Sequence, residues 1–164
     1  GGNLEPGPGG PHPFPPQQEW SFTQHKPFKA VYDTNRRSVY LMTQRIQRHP
    51  LMATFDGPDT GASTASRVTS TTTLQALYFL NDPFVHEQAE RIANRIVTGR
   101  TRDEDRVNYA YELLFSRPPA ADERLLAIDY LGTASIRSAS AAELEAWTSY
   151  VRALLSTNEF LYVD

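Results

Sequence analysis

The chain has 164 residues, of which 40% are hydrophobic and 21% are charged, and its net charge at pH 7 is −3. This composition supports one domain with an apolar core and excludes a wholly disordered chain. A charge so close to neutral argues against a dedicated nucleic-acid-binding protein. No apolar run approaches the roughly 18 residues that a membrane-spanning helix needs. The chain has no cysteine, which excludes disulfides and covalent haem attachment in this segment.

The first 19 residues differ in composition from the rest. Residues 1–19 contain six of the 12 prolines and five of the nine glycines. Because proline lacks the backbone N–H that regular hydrogen-bond ladders need, this stretch predicts an extended Pro/Gly-rich arm or linker. We therefore predict an arm over residues 1–19 and a folded domain over residues 20–164.

A short β-hairpin is predicted next. Residues 28–32 and 38–42 are rich in β-branched and aromatic side chains, and residues 33–36 between them have turn chemistry. The two runs therefore predict a pair of antiparallel strands. A short helix or an extended segment is expected over residues 49–55.

Basic and aromatic side chains are interleaved in this region, and they form a candidate patch for an anionic ligand. Its members are Lys26, Lys29, Arg36, Arg37 and Tyr40. Guanidinium groups match the geometry of sulfate as they match phosphate, so a sulfated glycan is a reasonable ligand. Alternation along a strand more often puts aromatic residues in the core and bases in solvent. Both interpretations stay open at this point.

A turn-rich loop follows at residues 56–61. Asp56 and Asp59 offer hard oxygen ligands of the kind that calcium prefers, but their spacing is not that of the twelve-residue calcium loop. Aspartates in such turns commonly accept hydrogen bonds from the backbone two residues on. The sequence favours this second role.

The loop continues into a Ser/Thr-rich stretch that forms, with the two aspartates, a candidate polar site. Its further members are Arg67, Ser70, Thr71, Gln75 and Asn81. Hydroxyl and guanidinium donors ahead of a helix can hold an anion. The alternative is that the hydroxyls satisfy the loop's own backbone while Arg67 pairs with a carboxylate.

From Leu74 onward the apolar residues recur with the period of helices. A short helix is predicted over residues 74–80. Asp82 then offers an N-cap with Pro83 at the first helical position, and Gly99 supplies the end of this second helix. Its predicted buried stripe consists of Val85, Ala89, Ile92 and Ile96.

Three further helices follow. One begins near Asp103 and ends before Pro118, and the next spans residues 121–131, with Leu125, Ile128 and Leu131 buried and Gly132 closing it. The last opens with a capping box at residues 140–143 and carries an apolar stripe through Trp147 and Val151. The apolar tail, residues 160–163, is expected to dock onto the helical body.

Several blocks, read together, resemble the planctomycete-specific domain family, a domain of unknown function (1553) at the C-terminal end of large planctomycete proteins. The matching stretches are residues 12–16 (HPFPP), 37–41 (RSVYL), 55–59 (FDGPD), 70–77 (STTTLQAL), 80–85 (LNDPFV) and 154–164 (LLSTNEFLYVD). Two positions depart from the family pattern. Thr73 stands where proline is common, and Ser116 stands where glycine usually precedes Arg117.

The resemblance implies an exported protein of the periplasm or cell surface. It also implies an upstream domain that often resembles cytochrome c and carries haem c, and it implies no established reaction. Genomic proximity to sulfatases connects the family with complex polysaccharides.

We therefore predict an α+β fold that is mainly α, with a helical bundle-like body, a small β-hairpin and the extended N-terminal arm. The chain contains no complete catalytic constellation, so its sequence favours a non-catalytic interaction or structural module of a larger envelope protein. Its expected partners are other domains of the same polypeptide. The alternative is a part of an enzyme or binding system for anionic polysaccharides. No cofactor is expected in this segment.

Overall fold

The computed structural model describes residues 1–5, 16–21, 34–45, 47–63, 65, 72–135 and 140–161. It divides the chain into two compact units. The N-terminal unit is residues 3–75, and the C-terminal unit is residues 76–164 together with Gly1–Gly2. The predicted arm includes residues 6–15, which lie outside the described residues, so this boundary stays a prediction.

The described residues are mainly helical. Two short 3-10 helices, Gln17–Glu19 and Ser38–Tyr40, precede the α-helices. The α-helices in the described ranges are α1 (Pro50–Thr54), α2 (Thr73–Asn81), α3 (Pro83–Gly99), α4 (Asp103–Phe115), α5 (Ala121–Ser135), α6 (Ser140–Leu155) and α7 (Asn158–Leu161). None of these helices is long and apolar enough to cross a lipid bilayer.

Helices α3 to α6 form a four-helix bundle in the C-terminal unit. Each helix packs against the next, and α6 closes the ring by packing along α3. Its core is centred on the fully buried side chains of Trp147, Ile96, Leu131, Val107 and Val151. The distance between packed helix axes depends on the size of the side chains at the contact. The buried alanines on α3, α4 and α5 therefore allow these helices to pack closely.

The start of α3 confirms the predicted cap. The Asp82 carboxylate accepts a hydrogen bond from the Phe84 N–H at 2.9 Å, with Pro83 in the first turn. This arrangement satisfies an N–H that has no partner inside the helix. All four residues of the predicted stripe, Val85, Ala89, Ile92 and Ile96, are buried.

Helix α5 differs from its prediction in two respects. It continues past Gly132 to Ser135, so this glycine does not end it. Leu125, predicted to be buried, is 72% exposed, whereas Ala127 and Leu131 are buried. The apolar residues of α5 extend most of the way around the helix, so its sequence did not define which side faces the core.

The predicted β-hairpin is wrong in the part that the structure describes. Residues 38–40 form a 3-10 helix, in which the Tyr40 N–H donates to the Arg37 carbonyl at 2.9 Å and the Leu41 N–H donates to the Ser38 carbonyl at 3.0 Å. These local bonds use backbone groups that a strand would pair across a sheet. The first predicted strand, residues 28–32, lies outside the described residues. The described ranges contain no strand.

Helix α1 in the N-terminal unit has defined ends. The His49 ring nitrogen Nδ1 accepts from the Leu51 N–H at 3.2 Å and caps the start. At the other end the Gly57 N–H donates to the Met52 carbonyl at 2.6 Å, and Asp56 adopts a left-handed conformation with φ of 52°. This six-to-one bond after a left-handed residue is the Schellman motif.

Helix α4 ends at a residue that the family pattern makes unusual. Ser116 has φ of 57° and ψ of 26°, and its N–H donates to the Glu112 carbonyl. Left-handed backbone is accessible to glycine without strain, whereas other residues bring Cβ close to a carbonyl oxygen. This left-handed backbone explains why the family that the chain resembles usually has glycine at this position.

We expect Ser116→Gly to raise the free energy of unfolding by roughly 0.5 to 1 kcal/mol, because relief of the left-handed strain outweighs the added freedom of the unfolded chain. Chemical denaturation followed by circular dichroism measures this change. Ser156→Gly is the matched control, since Ser156 also follows a helix but does not have a positive φ. The control is expected to destabilise the protein, and a gain of equal size there would contradict the explanation.

Candidate functional site

The predicted polar site divides into residues with separate local roles. Asp59 accepts the Gly61 N–H at 2.8 Å, which confirms the predicted turn bond, and it also pairs with Arg48 at 3.5 Å. Asp56 provides the left-handed residue after α1. Asn81 lies at the end of α2 and donates to the Leu77 carbonyl. Three members, Arg67, Ser70 and Thr71, lie outside the described residues.

Gln75 is the buried member of this predicted site, and it links two helices. Its side-chain Oε1 accepts the Thr72 N–H at 3.0 Å, while the Thr72 hydroxyl accepts the Gln75 N–H at 3.3 Å. These reciprocal bonds form a capping box at the start of α2. The Gln75 Nε2 also donates to the Thr54 carbonyl at the end of α1 at 2.9 Å. The side-chain amide of Gln75 therefore forms hydrogen bonds that stabilise the fold.

The predicted anionic-ligand patch is described only in part. Arg36 lies 3.8 Å from the Glu5 carboxylate, and Arg37 and Tyr40 are exposed. Lys26 and Lys29 lie outside the described residues. The glycan patch therefore stays a prediction, with one of its cations already next to a carboxylate.

Two arginines of the C-terminal unit hold charge clusters that the sequence did not reveal. The first is Arg106, whose side chain is only 9% exposed. It contacts the Asp103 carboxylate at 3.0 Å and the Glu143 carboxylate at 2.6 Å. It also donates to the Arg100 carbonyl at 2.9 Å and to the Val97 carbonyl at 3.3 Å.

Arg106 thus joins three helix ends. The carbonyls belong to the C-terminal end of α3, where helical carbonyls have no partner inside the helix. Asp103 and Glu143 lie in the first turns of α4 and α6. Burial lowers the pKa of Arg106, but the hydrogen bonds with Glu143 and Asp103 outweigh it and raise that pKa. The guanidinium is charged throughout the physiological range.

The second cluster is centred on Arg117, in the connection between α4 and α5. Its guanidinium makes two hydrogen bonds with Glu123, both at 2.8 Å, and two with Glu159, at 2.6 and 2.7 Å. It also lies over the rings of Tyr111 and Phe115. The hydrogen bonds with Arg117 lower the pKa of Glu123 to about 2 and also lower the pKa of Glu159. This cluster fastens α7 to the bundle.

Two tyrosines couple α4 with α6 beside this cluster. Tyr111 of α4 and Tyr150 of α6 lie close enough for each to shift the pKa of the other. Burial first, and then the neighbouring Tyr111 phenol, raise the pKa of Tyr150 well above its usual value. Both phenols therefore stay protonated at neutral pH, and neither is poised to act as a base.

One helix face of the C-terminal unit exposes apolar side chains. Leu125 and Leu126 are 72% and 70% exposed, and Tyr130 is also exposed. Asp122 and Asp129 are exposed on the same face, three or four residues from each leucine. We call these five residues the α5 surface. In the described ranges, no three or more His, Asp or Glu side chains are grouped as a metal site would require.

A scan against protein-family models matches residues 1–131 to PSD1, described as a protein of unknown function (DUF1553). The chain belongs to the PSD1 family. A search of curated proteins and a search of solved structures each find no match. The PSD1 match ends within α5, so it includes all the resembling motifs except the last, residues 154–164.

Sequence reasoning missed both arginine clusters of this PSD1 chain. Arg106 follows three acidic residues at the start of a helix, a pattern that normally indicates a solvated first turn. Its partner Glu143 is 37 residues away, within the predicted capping box. The capping box at residues 72–75 did have a signal, since Thr72 and Gln75 have the required spacing.

We expect Arg106→Met to lower the free energy of unfolding by about 2 kcal/mol, because two carboxylates and two helix carbonyls lose their common donor. Arg102→Met is the matched control, since Arg102 is exposed and pairs only with Glu104 among the described residues. The control is expected to change stability by less than about 0.5 kcal/mol. Equal losses in urea titrations of the two variants would contradict the role of Arg106.

The Arg117 cluster predicts a defined dependence on pH. A carboxyl group with a depressed folded-state pKa stabilises the fold above its unfolded pKa, and this contribution disappears as pH falls through the folded pKa. For Glu123 these two values are 4.5 and about 2. We expect Glu123→Gln to cost about 1 kcal/mol at pH 7, a solvent-screened value, and the difference to shrink below pH 4.5 until it vanishes near pH 2.

Urea titrations at a series of pH values measure this difference. Glu104→Gln is the control, since Glu104 belongs to an exposed pair, and we expect a change below about 0.5 kcal/mol at pH 7. A Glu123→Gln cost that stayed constant down to pH 2 would show that the carboxylate charge is not responsible.

Proposed function

We propose that this chain is a non-catalytic interaction module of a larger exported envelope protein, and that its α5 surface binds another domain of the same polypeptide. The observation that supports this proposal is the exposure of Leu125 and Leu126, at 72% and 70%, on a helix whose opposite side is buried in the bundle core. Adjacent exposed leucines are costly in water and are common where proteins bind each other.

The charges of the C-terminal unit support a structural role. Arg106 and Arg117, its two most highly coordinated cations in the described ranges, are each held by two carboxylates. A catalytic group needs to change its charge or its contacts during a reaction. These arginines instead fix helix ends, and so they keep the α5 surface rigid for binding.

The composition of the α5 surface indicates the chemistry of its partner. Asp122 and Asp129 lie beside the two leucines, and neither forms an ion pair within the part of the chain that the structure describes. The expected partner surface is therefore apolar at its centre and basic around it. The exported location and an upstream domain with haem c belong to this proposal through the family resemblance alone.

A single introduced cysteine tests the proposal, because the chain has none of its own. We expect Leu126→Cys to react rapidly with iodoacetamide in this chain alone and at least about tenfold more slowly in the longer natural polypeptide, because contact excludes the reagent. Mass spectrometry of the labelled peptide gives both rates. Ala153→Cys, at an exposed position of α6, is the matched control and is expected to react equally in both proteins.

A charge substitution separates binding from folding. Leu125→Glu combined with Leu126→Glu is expected to leave the stability of this chain within about 0.5 kcal/mol, since both positions are exposed. The same pair of substitutions is expected to restore rapid labelling of a nearby Tyr130→Cys in the longer polypeptide. Equal labelling of Leu126→Cys in the two proteins would refute the proposed contact.

A further inference from the structure

The N-terminal unit contains a cavity that the proposed function does not use. Its volume is about 270 Å³, and it lies between residues 38–44, helix α1 and the loop at residues 58–60. Much of its lining is apolar and includes Leu41, Met42 and Met52. A concave, mainly apolar space with a few polar groups is the usual form of a small-molecule site.

Hydrogen bonds hold the walls of this cavity in place. The Thr60 hydroxyl donates to the Gln44 carbonyl at 2.6 Å and ties the loop to the segment opposite it. His49, also in the lining, caps α1 through its Nδ1 atom and so orients the helix that carries Met52. Burial lowers the pKa of His49, so its ring is neutral at pH 7. Hydrogen bonds therefore hold both the loop and helix α1 in place around the cavity.

Arg48 is the charged residue among those that line the cavity. Its guanidinium lies 3.5 Å from the Asp59 carboxylate, and the two side chains are 38% and 53% exposed. Exposed ion pairs of this kind contribute little stability, and Asp59 also accepts the Gly61 N–H. Arg48 can therefore exchange this contact for a ligand at small cost.

We propose that this cavity binds a small monocarboxylate with an apolar, preferably aromatic, body, and that Arg48 holds its carboxylate. An arginine fork matches a carboxylate with two parallel hydrogen bonds. The thioethers of Met42 and Met52 suit an aromatic ring, since sulfur makes favourable contacts with ring edges. At the roughly 30 Å³ that a water molecule occupies in the liquid, the space corresponds to about nine water molecules, which is room for a single-ring ligand. Phenylacetate is about this size.

The two methionines make the proposal directly measurable. They are the only methionines in the chain, and both line the cavity. With ¹³C-methyl methionine, a titration with sodium phenylacetate is expected to shift both methyl resonances along one saturable curve. The neutral analogue 2-phenylethanol is expected to bind at least about tenfold more weakly, because it lacks the charge that Arg48 recognises.

A pair of matched variants tests whether Arg48 is the residue that recognises the ligand's carboxylate. Arg48→Gln is expected to weaken phenylacetate at least about tenfold and to leave 2-phenylethanol unchanged. Arg45→Gln, an exposed neighbour outside the lining, is expected to leave both affinities unchanged. If Arg48→Gln disturbs the methyl spectrum of the free protein, the comparison of the two ligands on the unaltered chain decides the question.

Three results would overturn the proposal. They are methyl shifts that do not saturate, equal affinities for phenylacetate and 2-phenylethanol, and an equal loss of phenylacetate binding in Arg45→Gln and Arg48→Gln. Each is read from the N-terminal unit, so it is independent of the contact proposed for the α5 surface.

Discussion

Arg106 occupies the point where the end of α3 meets the beginnings of α4 and α6, and the architecture of the bundle depends on this junction. Helix ends leave backbone groups without partners, and burying them without compensation is costly. A single guanidinium satisfies one carbonyl in the last turn of α3, the carbonyl of the C-cap residue Arg100, and two carboxylates from α4 and α6. Its fixed set of donors suits this role better than the point charge of a lysine.

The second cluster extends the same principle to the opposite end of α4. Arg117 takes both oxygens of Glu123 and of Glu159, and it lies over two aromatic rings. The two arginines fix the helix ends, while a narrow core of alanines and large apolar residues fixes the spacing between helices. The two clusters and the core thus hold the four helices together, and one side of α5 stays exposed.

The two proposed binding sites lie in different units and differ in their chemistry. The C-terminal unit exposes two adjacent leucines flanked by aspartates, a surface suited to another protein. The N-terminal unit encloses a cavity lined by both methionines of the chain and by Arg48, a space suited to a small molecule. Membership of the PSD1 family is shown over residues 1–131 and includes both the cavity and the exposed leucines. The residues of both proposed binding sites therefore lie within the family match.

The helices of the C-terminal unit were readable from the sequence because their signals are local. Asp82 and Pro83 mark the start of α3, and residues spaced three or four apart define its buried stripe. The Asx turn at Asp59 was equally predictable, since its donor and acceptor are two residues apart. The sequence thus determined where helices begin and what most of them bury.

Only the tertiary structure decided which long-range partners are used. Residues 38–42 have strand propensity, but residues 38–40 form a 3-10 helix with local hydrogen bonds, because propensity does not supply a neighbouring strand. Leu125 carries a helical period that suits burial, yet α5 turns it to solvent, because apolar residues extend too far around that helix to choose a side. Arg106 meets Glu143 across 37 residues of chain. Such contacts depend on how the helices pack against each other, and the local sequence pattern of each helix does not specify that packing.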